Sequence, residues 1–341
     1  MLCVQATRFG GPDVLVTVEA PDLAPGPGQV LVEVIVADTL HLDTVIRRGA
    51  FPFPIVTPPY VPGGGVAGTV VAAGPGVDQG LLGRRVVART GAGEPGAETG
   101  TVARRARHDT HSGGYAERAV VPAGALVPVP AGVPLPDAAA LVNDGMTAML
   151  VFEAAGVRPG QWVLVTPAGG GLGNLLVQLA HAAGARVVGA ARGSRKLTRA
   201  RDAGADAVID YERDDWHEQV RTLTGGRGPD VVLDGVGGRI GRASLEVTAR
   251  GGRFIGYGGP SGDFTRADPD DAGRRGIHAT SLFDLRMAAG DEERLAGLAL
   301  AAADAGRITP LIGQTLPLGQ AAEAHALIES REAIGKTLLL T

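Results

Sequence analysis

Cysteine is almost missing from this chain: Cys3 stands alone among 341 residues. A single thiol cannot close an intrachain disulfide or build a thiolate zinc cluster. A large surplus of either charge is also missing. The chain has 32 Lys and Arg against 36 Asp and Glu, for a net charge of −4, so no basic field recommends nucleic acid as a partner. No apolar run reaches the ~18 residues that read as a membrane span. The opening stretch MLCVQATRFGG lacks the basic-then-apolar order of a targeting signal. These absences predict a cytoplasmic protein that uses neither membrane nor nucleic acid. What is present is ordinary for a globular protein, with 45% hydrophobic and 20% charged residues. The length suits two domains, each with its own core.

The first third reads as β-rich. VLVTVEA (14–20), QVLVEVIVA (29–37), GVAGTVVAAG (65–74) and RRVVAR (84–89) are short β-branched runs separated by Pro and Gly clusters. Residues 91–114 carry no apolar period and predict an exposed loop. After Pro130 the rhythm changes. LPDAAALVNDGMTAMLVFEAAG predicts a helix, and strands and helices then alternate through WVLVT, RVVGAA, AVIDY, DVVLDGV and GRFIGYG. Such βαβ alternation implies a parallel sheet with helices on both faces. No internal repeat interrupts it.

The alternation opens on VLVTPAGGGLGNLLVQLAHAAGARVVGAARGSRK (163–196). Ala168, Gly170 and Gly173 occupy the three small positions of a G-x-G-x-x-G fingerprint, with Gly171 and Leu172 between the last two. Small residues are needed there for a tight turn, for backbone approach to a pyrophosphate and for close helix–strand packing. The helix that follows offers free N–H groups and a positive dipole end. An NAD site places an acid about 20 residues further on, against the ribose 2′-OH. Here that second strand ends in Ala191, Arg192, Gly193, Ser194, Arg195 and Lys196. Arg192, Ser194 and Lys196 can hydrogen-bond a 2′-phosphate, which an acid would repel, so the segment predicts NADPH.

The joint order of HLDTVIRRG (41–49), VPGGGVAGTVVAAGPGV (61–77), GGYAERAVVPA (113–123), NDGMTAMLV (143–151), the glycine segment, DAGADAVIDY (202–211), GPDVVLDGVGG (228–238) and ESREAIGKTLLL (329–340) covers nearly the whole chain. It resembles the medium-chain dehydrogenase/reductase superfamily, and within it the zinc-independent NADPH:quinone oxidoreductases. The resemblance implies an α/β chain: a GroES-like β-barrel catalytic domain (1–126 and 284–341) plus a Rossmann doubly wound parallel sheet domain (127–283). It implies a homodimer through edge strands, with GIHATSLF (276–283) as the last strand of the sheet. It further implies that Lys196, Tyr211 and Arg331 approach the 2′-phosphate and that Asn143 and Thr147 approach the nicotinamide. Zinc-dependent members bind metal through a Cys and a His-Glu pair. Leu40, Gly64 and Gly65 stand at those places, so no metal is expected. Val45, Phe51 and Leu40 replace the tyrosines and asparagine often found in the substrate pocket of bacterial relatives, which makes the expected pocket more apolar. His41, Asp43, Tyr60 and Tyr257 remain as its polar candidates. The expected activity is zinc-free hydride delivery from NADPH to a small quinone or α,β-unsaturated carbonyl. The alternatives are an enoyl reductase of a polyketide-type pathway and a non-catalytic NADPH- or RNA-binding protein.

Overall fold

The structure, a computed structural model, describes residues 1–51, 56–90, 113–261 and 263–341. The expected loop at 91–114 lies outside the described residues except for its last two positions. The chain forms two compact units. The first comprises Met1–Met146, Met287–Asp304 and Ile312–Thr341; the second comprises Thr147–Arg286 and Ala305–Leu311. This division differs from the expected boundaries: it falls inside the helix Leu135–Ala155 rather than before it. The physical reason is that Asn143 bonds to Asp38 and Gly64, which ties the first half of this helix to the strands of the first unit. Gln178 likewise exchanges hydrogen bonds with Thr309 and fastens Ala305–Leu311 to the second unit.

In the first unit the long strand Gln29–Asp38 is the centre of the sheet. The sheet runs Ile312–Pro317, Lys336–Leu340, Gln29–Asp38, Gly65–Ala73, Arg85–Ala88, Val127–Pro128, and Arg118–Pro122 also pairs with Gln29–Asp38. Strands from early and late parts of the chain therefore share this sheet, while Leu2–Ala6 and Leu15–Glu19 pair with each other in a separate two-stranded sheet. Alternating Val30, Val32 and Val34 are buried and pack with Val66, Val70, Val86 and Tyr115. A side chain at Gly68 would place Cβ 1.9 Å from the Glu33 carbonyl, so only glycine permits this close strand approach. Asp38 ends the central strand between Leu338 and Gly65, and Lys336 lies two residues before Leu338 on the same side of its strand.

In the second unit six parallel strands run in the order Ala207–Asp210, Arg186–Ala191, Trp162–Thr166, Val231–Asp234, Arg253–Gly256, His278–Ser281. Numbered along this unit, the order is 3-2-1-4-5-6, that of a doubly wound dinucleotide-binding sheet. The inner strands Arg186–Ala191, Trp162–Thr166 and Val231–Asp234 are near-continuous buried apolar runs, as in a sheet covered on both faces. His278–Ser281 is an edge strand, the position that the family resemblance implies for it. The helix Leu135–Ala155 is long and apolar enough to cross a membrane by length and composition, contrary to the expectation from apolar runs. However, 72% of its apolar window is buried inside the protein, as in a core helix.

Candidate cofactor-binding and active site

Strand order reverses between Trp162–Thr166 and Val231–Asp234, and ligands of such sheets bind outside the carboxyl ends of the strands at that point. The glycine turn lies there. It links Trp162–Thr166 to the helix Gly171–Ala182, whose N-cap is Gly170. A Cβ on Gly173 would lie 2.0 Å from the Pro167 carbonyl oxygen, which explains why the helix can sit so close to the strand. Around Gly170 the nearest atom to an added Cβ is 3.9 Å away, so this backbone is open to a ligand. No side chain caps the helix, and its first-turn N–H groups have no side-chain acceptor at the N-cap. This is a cradle that fits a pyrophosphate. Ala168 is fully buried and donates its N–H to the Ala190 carbonyl at 2.9 Å.

Gly169 connects the turn to the second predicted element. Its Cβ would meet the Lys196 Cβ at 2.5 Å, so the glycine segment and the helix Ser194–Asp202 touch. Ser194 is exposed there, and Arg192, Lys196 and Tyr211 are half-buried. Arg192 also forms an exposed ion pair with Glu212 at 3.7 Å. The sequence shows no acid at the end of the second strand, but the third strand supplies one beside it: Asp210 accepts the N–H groups of Gly193 (3.2 Å) and Glu212 (3.0 Å). Its carboxylate is committed to backbone.

Asp234 is a residue that sequence reasoning did not single out. Fully buried at the switch point, it accepts from the Thr166 hydroxyl (2.9 Å), the Val236 N–H (3.0 Å) and the Thr265 hydroxyl (3.2 Å). Burial raises its pKa, against the lowering effect of these donors. An Asp followed by GVGG at a strand end is the signal that could have found it. Tyr257 is also buried. It donates its hydroxyl to the Thr166 carbonyl at 3.1 Å, and its ring lies where a Cβ on Gly235 would be, 2.2 Å from Cε2. It thus braces the carboxyl end of the strand that leads into the glycine turn.

The first unit holds a buried polar cluster. Lys336 Nζ lies 2.6 Å from Asp38 Oδ1 and 3.3 Å from Asp144 Oδ1, and donates to the Thr39 carbonyl at 3.2 Å. Asn143 donates to Asp38 Oδ2 (3.0 Å) and to the Gly64 carbonyl (3.1 Å), and accepts from Arg89 (3.1 Å). Arg89 in turn pairs with Glu292 at 2.6 Å. Burial pushes the Asp38 carboxyl up to about 7, against the opposing pull of Lys336. Burial also works against the Lys336 charge, but Asp144 and Asp38 outweigh it and hold its pKa above the ordinary lysine value. Beside this cluster, a Cβ on Gly64 would lie 3.1 Å from Leu40 Cδ1, and one on Gly65 would meet Val142 at 2.5 Å and Asn143 at 2.7 Å. The three positions that bear zinc ligands in zinc-dependent members therefore present an aliphatic side chain and closely packed backbone. Among the described residues, no group of three His, Cys, Asp or Glu is placed to hold a metal ion.

His41 is exposed at the start of the helix His41–Arg47. Its environment, through desolvation and then the charges of Arg48 and Arg331, lowers its pKa. Asp43 and Tyr60 are interior residues. Asp43 accepts the Leu40 N–H at 2.9 Å and the Tyr115 hydroxyl at 3.3 Å, and burial pushes it up to about 6. Burial raises Tyr60 as well. Thr147 is half-buried on its helix. Arg331 stands in the left-handed region (φ 60°) just after the helix Ala321–Glu329, where glycine is usual.

Comparison with known proteins agrees with this geometry. Residues 26–131 match the alcohol dehydrogenase GroES-like domain, and residues 171–295 match a family described as zinc-binding dehydrogenase. The chain is 33% identical to a 2-haloacrylate reductase of a Burkholderia species, across 98% of this chain and 97% of that one. Among solved structures, an NAD-dependent alcohol dehydrogenase superposes with a TM-score of 0.86 at 33% identity, and covers all of both chains. The quinone oxidoreductase of Escherichia coli, solved with NADPH, gives 0.86 at 27% identity with the same coverage. The chain belongs to the medium-chain dehydrogenase/reductase superfamily, in its quinone oxidoreductase-like family.

Proposed function

We propose that this protein is an NADPH-dependent, zinc-independent reductase of quinones or α,β-unsaturated carbonyls. The observation that carries the reading is the contact of the open glycine turn with Lys196, which puts a pyrophosphate cradle and a cationic segment side by side. When bound, the reduced nicotinamide supplies the hydride. The chain's part is to bind and orient. First-turn N–H groups of Gly171–Ala182 hold the pyrophosphate, and Arg192, Ser194 and Lys196, with Tyr211, hold the 2′-phosphate. Asn143 and Thr147 are assigned to the nicotinamide side, and His41 to the acceptor. Asp43, Tyr60 and Tyr257 act by fixing the backbone that carries these groups.

The donor chemistry around Leu40 sets the reaction class. A leucine and two glycines supply no ligand for a Lewis acid, so an unactivated alcohol finds nothing there to polarise it. An acceptor that is already electrophilic needs only position. The Escherichia coli quinone oxidoreductase and the 2-haloacrylate reductase, named for a quinone and for an activated alkene, support that class. The aliphatic contact of Leu40 with Gly64 also suits an enoyl substrate of a biosynthetic pathway. Residence in the cytoplasm and a homodimer through the edge strand His278–Ser281 belong to the same reading. NADPH oxidation screened against quinones, small enones and enoyl thioesters tests it. Turnover with at least one class is expected; no turnover with any of them, or oxidation of simple alcohols instead, would overturn it.

A further inference from the structure

A groove of about 360 Å³ opens in the second unit between the helices Gly171–Ala182 and Ser194–Asp202 and the segment Ala305–Leu311. That volume falls in the range of small-molecule sites, which begins at about 300 Å³. The groove extends away from the glycine turn: His181, on its wall, is ten residues beyond Gly171, about 15 Å along the helix. Its floor is fixed by a chain of amides. Gln178 donates to the Thr309 carbonyl and accepts the Thr309 N–H, both at 2.8 Å, and donates to Asn174 Oδ1 at 2.9 Å. Asn174 donates to the Arg199 carbonyl at 3.2 Å. Three separate elements are thus held together before any ligand arrives, which lowers the ordering cost of binding. His181 is held as well, because its ring fills the space of a side chain at Gly204, where a Cβ would lie 2.7 Å from Cγ.

The walls carry a surplus of positive charge, with Arg199 and Arg307 against one acid, Asp202. Arg199 has two partners already. It touches Asp202 at 3.5 Å through one guanidinium nitrogen, and it stands towards the end of its helix, where a cation meets the carbonyl dipoles. Arg307 has neither role. It is exposed, belongs to no helix and makes no ion pair among the described residues. Its backbone is nonetheless well placed, since Ile308 is buried and Thr309 is clamped by Gln178. Ala182, Ala203, Pro310 and Leu311 give the groove an aliphatic side.

We propose that this groove binds a small organic phosphate monoester, with the phosphate on Arg199 and Arg307 and the ester body against the aliphatic side. Planar guanidinium groups match phosphate oxygens in pairs, and a dianionic head draws on the groove's net positive charge. The site is distinct from the cofactor cradle and does not depend on the reductase reading.

Calorimetric titration of the full-length protein with phenyl phosphate, with and without excess NADPH, tests the proposal. Wild type should bind phenyl phosphate at least about tenfold more tightly than inorganic phosphate, because only the ester reaches the aliphatic side. Arg307→Ala should weaken the ester by about tenfold to a hundredfold, the value of a charge-assisted hydrogen bond. Arg201→Ala removes an exposed arginine of the same helix that does not line the groove, and should leave the affinity unchanged. No binding in wild type, wild-type affinity in Arg307→Ala, or an equal loss in Arg201→Ala overturns the proposal. Displacement of the ester by NADPH does so too, since it would seat the ester in the cofactor cradle. Equal affinities for the ester and inorganic phosphate would overturn the ester assignment and reduce the groove to an anion contact.

Discussion

Gly169 and Lys196 meet so closely that a Cβ on the glycine would lie 2.5 Å from that of the lysine. The turn that would hold the pyrophosphate is therefore built against the first turn of the helix that carries the cations. Replacement of Lys196 with Ala is expected to weaken NADPH binding by about tenfold to a hundredfold, the value of a charge-assisted hydrogen bond. NADH, which has no 2′-phosphate, should bind as before. Fluorescence titration of both nucleotides measures the difference; an equal loss for the two would remove Lys196 from the phosphate.

The glycines of the turn are not equivalent. Gly173→Ala forces a Cβ to within 2.0 Å of the Pro167 carbonyl and should destabilise the second unit by several kcal/mol. Gly170→Ala meets nothing within 3.9 Å and has an ordinary extended backbone, so the fold should tolerate it while the nucleotide loses backbone access. Denaturant midpoints and NADPH titrations of the two variants should diverge in this way. The opposite pattern would place the ligand elsewhere on the turn.

Lys336 is buried with one fully and one mostly buried carboxylate. Removing the cation leaves Asp38 an uncompensated interior acid, so Lys336→Met should cost about 3–5 kcal/mol of stability. The double variant with Asp38→Asn should recover part of it. Urea denaturation at neutral pH checks the pair, and simple additivity of the two changes would mean that the groups do not interact.

His325 is fully buried, with Nε2 2.9 Å from the Tyr115 hydroxyl, and burial lowers its pKa from the ordinary 6.5 to about 3. Below pH 6.5 the unfolded chain binds a proton that the folded one refuses, so this contribution is lost as pH falls from 6.5 towards 3. Asp38 and Asp43 act in the opposite sense. Their raised values favour the folded state at low pH, and that contribution is lost as pH rises through about 6 and about 7. His325→Gln should keep a partner for Tyr115 and flatten the acid side of a Tm–pH curve. An unchanged slope between pH 6.5 and 4 would mean that His325 is not the residue responsible.

The Rossmann unit was largely legible because its signals are local. Apolar strands, the glycine turn and the helix that follows lie within some thirty residues, and the ARGSRK segment sits at the next strand end. The site in the first unit was less legible because it is assembled across distance. Asp38 and Lys336 are separated by almost the whole chain and meet only through the register Leu338↔Asp38. Asn143 also bonds to Asp38, Gly64 and Arg89, partners far from it in sequence that no local pattern announces. Asp43, Tyr60 and Tyr257 read as pocket groups because a sequence does not show which face of an element is buried. The missing zinc ligands, by contrast, were visible at once, since glycine and leucine offer no donor in any fold.

The central claim is that the cations at the end of the second strand select NADPH for a reductive reaction. The most direct measurement is kcat/KM for NADPH and for NADH against one acceptor under identical conditions. The account predicts a preference for NADPH of about tenfold or more, from the 2′-phosphate contacts. Equal values, or a preference for NADH, would contradict it.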